Sequence, residues 1–174
     1  MQRALVMTVI GQDRPGLVET VANLVTEHGG NWLESRMARL GGQFAGILRV
    51  QLPVDKEAGL LRALHDLQER GLAITAHPDT APAPSGKAKI YDLELVGQDR
   101  PGIVRQISGA LADFGINLEE LETECGSAAM SGETLFKAHA QLSIPAEADL
   151  NAVQQTLERI AADLIVEITL AQAD

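Results

Sequence analysis

The chain has 174 residues, of which 45% are apolar and 22% charged, and its formal net charge is −10. These values suit a globular protein of one large or two small domains. They argue against direct nucleic-acid binding, because the 14 Lys and Arg residues are scattered and form no basic patch. Aromatics make up 3%, so the core must be built from Leu, Val, Ile and Ala. Cys125 is the single cysteine, which excludes an intrachain disulfide. No run of about 18 apolar residues offers a membrane span, and a cytoplasmic location is expected.

The first predicted element is a strand over Ala4–Ile10, ALVMTVI, too short an apolar run for a signal peptide. The string GQDRPG follows at Gly11–Gly16. Gly11 is expected to let the strand turn sharply, and Asp13 to cap the next helix at or just before its start. Pro15 suits the first helical turn, and Gly16 leaves the backbone open to another molecule. These residues fit two readings, a capped turn and a helix start that holds an anion such as a carboxylate.

Leu17, Val18, Val21, Leu24 and Val25 then predict a helix that stops at His28-Gly29-Gly30. Strands are predicted over Trp32–Leu40 and Phe44–Leu52, around a Gly41-Gly42 turn. Leu60, Leu61, Leu64 and Leu67 predict a second helix ending near Gly71, and Leu72–Ala76 a fourth strand. Residues 78–87 are proline-rich and predict a linker between domains at 1–77 and 88–174.

The second domain repeats the first. GQDRPG returns at Gly97–Gly102, and nine of 22 positions are identical between Ile10–Asn31 and Val96–Asn117. Strands are predicted near Ile90–Val96, Asn117–Glu124, Leu135–Ile144 and Leu164–Leu170, with helices near Gly102–Phe114 and Leu150–Ala162. Six extra residues fall near CGSAAMSGE, 125–133, and predict a longer hairpin loop. The order β-α-β-β-α-β predicts an α+β, ferredoxin-like fold, with two helices on one face of an antiparallel sheet. Strands 1 and 3 of each unit should be central. Strands 2 and 4 should be edges, free to pair with a neighbour.

Several functions find no support in the motifs. GQDRPG has the glycine spacing of a phosphate loop, but Leu-Val or Ile-Val follows it where Lys-Ser/Thr is needed. No dinucleotide fingerprint is present, and the few aromatics do not supply the stacking platform of an RNA-binding sheet. His28, His65, His77 and His139 lack metal-ligand spacing. No catalytic grouping, metal or cofactor is implied. Glu119, Glu120, Glu122 and Glu124 form an acidic run, read as a solvated edge strand or as a docking surface for a basic partner.

A β-α-β-β-α-β unit with D-R-P-G-[LI]-V at its first strand–helix junction resembles the ACT domain, a small regulatory module that often binds amino acids. Two such units in one short chain resemble the glycine cleavage system transcriptional repressor family. The resemblance implies a ligand site at a domain junction, where the loop of one domain faces the start of strand 2 of another. The implied loop residues are Asp13, Arg14, Gly16 and Leu17, with Asp99, Arg100, Gly102 and Ile103 in the second copy. The implied strand-2 residues are Asn31 and Asn117, whose amides suit both groups of an amino acid and equally suit a turn at a strand start.

The implied function is non-enzymatic. The protein would sense a small amino acid, with glycine the leading candidate, and repress transcription by binding a transcription activator of the glycine cleavage genes. A homo-oligomer is expected. Two alternatives stay open, a module that regulates a metabolic enzyme in trans and a ligand-free assembly module.

Overall fold

In the computed structural model, residues 1–80, 88–127 and 134–173 are described. The chain divides into two compact units, Met1–Pro82 and Ala83–Asp174. Most of the expected linker (81–87) and of the expected long hairpin loop (128–133) lies outside the described residues. Among those residues no helix is long and apolar enough to cross a membrane.

The first unit runs β1 (Gln2–Gln12), α1 (Leu17–Glu27), β2 (Asn31–Leu40), β3 (Gln43–Pro53), α2 (Glu57–Asp66) and β4 (Leu72–Pro78). Its sheet has the order β2-β3-β1-β4, and every pairing is antiparallel. As expected, strands 1 and 3 are central and strands 2 and 4 are edges.

Alternation along the central strands sends Leu5, Met7 and Val9 of β1 and Leu48, Val50 and Leu52 of β3 to one face. The helices cover that face with Leu17, Val21 and Val25 of α1 and Leu60 and Leu64 of α2. Each of these is 5% exposed or less. Burial of one such side chain stabilises the fold by about 1.5–3 kcal/mol. Gly41 and Gly42 both take positive φ, 58° and 78°, as the tight two-residue turn between β2 and β3 requires.

The second unit repeats this plan with β5 (Lys89–Gln98), α3 (Ile103–Asp113), β6 (Asn117–Ser127), β7 (Thr134–Ile144), α4 (Leu150–Leu164) and β8 (Val166–Gln172). The sheet order is β6-β7-β5-β8. Leu93 and Leu95 of β5, Ala140 and Leu142 of β7, and Ile103, Ile107 and Leu111 of α3 lead its core.

Four local expectations are corrected. Gly11 does not end the strand. It stays within β1, pairing with Phe44 and Leu72, and a Cβ there would come within 2.8 Å of the Gly71 carbonyl oxygen. Gly97 repeats this, with a Cβ meeting Val166 Cγ1 at 2.4 Å. The repeated first glycine therefore admits the neighbouring edge strand, and the turn lies further on. Leu164, expected to open the last strand, closes α4 and is buried. Asp13 does not cap α1, and Pro15 lies outside it. The cap position is Gly16, in the left-handed conformation.

Candidate functional site

Each GQDRPG string leaves the first strand and enters the first helix through a left-handed glycine, Gly16 at φ 88° and Gly102 at φ 94°. Space does not demand glycine here. A Cβ would meet nothing within 4 Å at Gly16, and only Gln106 Nε2, at 3.9 Å, at Gly102. The backbone conformation demands it, since a side chain in this region costs roughly 1–2 kcal/mol. The glycine carbonyl starts each helix, accepting from Thr20 N at 2.9 Å and from Gln106 N at 3.0 Å. No side chain caps either helix. The N–H groups of the first turn have no intrahelical acceptors, and at these two helix starts no capping side chain takes them up. By contrast, α4 is capped by Asp149, which accepts from Ala152 N.

The loops are pinned at their backbones in the same way. Asp13 N donates to Gly42 O at 2.9 Å, and Asp99 N donates to Thr134 O at 3.0 Å. Their side chains differ. The Asp13 carboxylate is held 2.8 Å from Arg39 Nε, near the far end of β2. Arg14 donates to the Arg70 carbonyl at 3.1 Å, whereas Arg100 donates to Gln98 Oε1 at 3.1 Å. Leu17 and Ile103 point into the cores, at 5% and 3% exposure. They anchor the helix starts and offer a ligand little surface. Asp13, Arg14, Gly16, Val18, Glu19 and Phe44, above buried Leu17, line an open hollow of about 290 Å³ in the first unit.

Asn31 and Asn117 stand elsewhere. Each opens strand 2 of its unit, beyond the C-terminal end of the first helix. Eleven helical residues separate that end from the loop, a rise of about 16 Å. No single unit therefore brings its own loop and its own Asn together. Both Asn residues are exposed. Asn117 Nδ2 donates to Glu119 Oε1 at 2.8 Å. A bulge follows each Asn, at Leu33 in β2 and at Glu119 in β6. Such bulges re-aim side chains and recur next to binding sites.

The sequence reasoning missed Arg39. It sits across from Phe44, at the position Cys125 takes across from Phe136 in the second unit. The hairpin register was the available signal, because the Gly41-Gly42 turn folds the end of β2 back beside the loop. The helix starts also differ. Glu19 on α1 corresponds to Arg105 on α3. The first loop thus gathers Asp13, Arg14, Glu19 and Arg39, and the corresponding positions of the second unit hold Asp99, Arg100, Arg105 and Cys125, although Arg105 lines a hollow between α3 and α4. The first set is balanced in charge and the second is net positive.

In the second unit a cleft of about 20 Å³ opens between α3 and the sheet, lined by apolar side chains such as Ile107, Leu118, Leu121 and Phe136. It has room for little more than a water molecule and does not suit a zwitterion.

Comparison with known proteins agrees with this construction. ACT domain models match residues 3–77 and 91–161. The glycine cleavage system transcriptional repressors of Escherichia coli (strain K12) and Shigella flexneri are each 26% identical to the chain over 171 residues, which is 94% of this chain and 86% of theirs. A crystal structure of an unknown protein from Galdieria sulphuraria superposes with a TM-score of 0.86, at 30% identity and with 100% of both chains covered. With a matching unit at each GQDRPG string, the chain belongs to the ACT domain family, as a tandem of two such domains.

Proposed function

We propose that this protein is a non-enzymatic regulator that senses a small amino acid, glycine being the leading candidate, through its GQDRPG loops. It would act by binding a transcription activator of the glycine cleavage genes and repressing their expression. The observation that carries this reading is the pair of helix starts at Gly16 and Gly102, which no side chain caps and each of which has an arginine beside it. Backbone N–H groups at such a terminus suit a carboxylate. Likeness to the glycine cleavage repressor of Escherichia coli along 94% of the chain supports the regulatory part.

Asn31 and Asn117 would complete the site from a neighbouring domain, since no unit brings its own Asn to its own loop. Ligand binding would then couple to how ACT domains pair. A ligand shifts that pairing only if it binds one arrangement better than another. Titration calorimetry of the full chain with a panel of amino acids tests the sensor claim. Heat from glycine or another small amino acid, lost in a Gly16→Val, Gly102→Val double variant that remains folded, is the expected outcome. Absence of binding by every amino acid at millimolar concentration, roughly the weakest affinity a metabolite sensor could use, overturns it.

A further inference from the structure

The helices of each unit cover one face of its sheet, and the opposite faces of the two sheets have diverged. In the first unit the register places Val6, Ile10, Ala38, Ala45 and Ile47 together on the face away from the helices. Ile10 is 51% and Ile47 56% exposed. The matching positions of the second unit are Asp92, Val96, Glu124, Lys137 and His139. At these five positions the duplicated face is therefore apolar in one copy and, apart from Val96, ionisable in the other, while Glu34, Arg36 and Arg49 share the first face.

We infer that the bare sheet face of the first unit is a dimer interface, and that its occupant is the same face of a second copy of this chain. Several polar groups on this face are partnered with neighbours, and Arg36 and His77 lie on it as well. Thr8 and Thr75 share a hydrogen bond between their hydroxyls. Arg49 is bound by Asp79 at 2.6 Å and lies 3.7 Å from Glu34. Removing water from such pairs carries a cost that the apolar contact has to outweigh.

The shape is self-complementary as well. A two-fold axis along the strands lays the β3 of one copy over the β1 of the other. Each Ile10 then faces a partner Ala45, large against small, and each Ile47 faces a partner Thr8. Glu34 on one edge comes over His77 on the other, so opposite edges carry acid against imidazole. Four strands at about 4.8 Å spacing and about eight residues of 3.4 Å each give roughly 500 Å² in projection. Side-chain relief raises the accessible area toward the ~800 Å² per partner of a stable interface.

The second unit cannot pair this way. Asp92, Glu94, Glu122 and Glu124 share its bare face with one lysine, Lys137, which is bound to Glu124 at 3.3 Å. Two such faces would repel each other.

Sedimentation of the full chain tests the inference. A dimer is expected at about 100 µM, a concentration that populates even weak specific dimers, and it should persist in high salt because the contact is apolar. Ile47→Glu, and independently Ala45→Glu, should weaken dimerisation by at least about tenfold with the far-ultraviolet circular dichroism unchanged. His139→Glu, at the matching position of the second unit, should leave it intact. A monomer at that concentration, or a dimer indifferent to both first-unit variants, overturns the inference. So does a dimer that dissociates in high salt and is lost on Glu122→Arg, since the acidic face would then be the occupant.

Discussion

Arg39 Nε lies 2.8 Å from the Asp13 carboxylate, so the acid of the first loop is tied to the end of β2 and not to the start of α1. The second loop has Cys125 in place of that arginine. Identical six-residue strings thus sit in different electrostatic surroundings. In the first, the acid is neutralised and Glu19 stands at the helix start. In the second, Arg105 stands there instead. Under the proposed function, the second loop is the more hospitable to a carboxylate.

Arg39→Ala should therefore matter for binding more than for folding. The pair is partly exposed, its side chains 71% and 31% accessible, and such pairs contribute about 1 kcal/mol or less. Urea unfolding should show a change within that range. Amino-acid affinity at the first loop should fall several-fold, because an unpaired Asp13 repels an incoming carboxylate. Calorimetry on a Gly102→Val background isolates that loop, and an unchanged affinity there would remove Asp13 from the site.

Gly16→Ala isolates the backbone contribution. No atom stands within 4 Å of the added methyl, so any loss of stability comes from holding alanine at φ 88°, about 1–2 kcal/mol. Gly16→Asn should cost less, because asparagine tolerates the left-handed region. Denaturant midpoints of the two variants should fall in that order.

Most of the fold could be read from the sequence because its signals are local and repeated. The helix periodicity at Leu17, Val21 and Val25, the Gly41-Gly42 turn and the duplicated order each depend on neighbouring residues alone. The strand order followed from handedness once the element order was known. What could not be read depends on pairings distant in sequence. Gly11 and Gly97 look like turn residues until β4 and β8 are laid against them. Asp13 looks like a cap until Arg39 arrives from β2, and the left-handed glycine that displaces it does not announce itself in GQDRPG. Leu17 and Ile103 adjoin the loop in sequence, but the helix turns them inward. Asn31 and Asn117 adjoin neither loop within one unit.

Gly97→Ala should be among the more damaging single-methyl additions to the second unit. The new Cβ would lie 2.4 Å from Val166 Cγ1 and 2.8 Å from Val166 Cα. A side-chain rotation relieves the first clash, but the second is with backbone and requires β8 to shift. Overpacking of this kind costs about 1–3 kcal/mol. Val166→Ala should recover only part of the loss, a split that paired denaturant titrations would measure.

Ile165 offers the opposite change. It is the one non-glycine residue with positive φ among the described residues, at 57°, and it follows α4 in the turn into β8. The corresponding turn of the first unit uses Gly71, at φ 79°. A β-branched residue is strained in this conformation by roughly 1–2 kcal/mol. Its side chain is 66% exposed, so packing offsets little of that strain. Ile165→Gly removes the strain but adds backbone freedom to the unfolded chain, which returns up to about 1 kcal/mol. The net expectation is a stabilisation of a few tenths to about 1 kcal/mol in the second unit, and Ile165→Asn should match or exceed it because asparagine adds less freedom. Hydrogen exchange of β8 amides reads the second unit separately from the first, and slower exchange in both variants is the expected result. If both variants exchange faster, the Ile165 side chain has a packing role that outweighs its backbone strain.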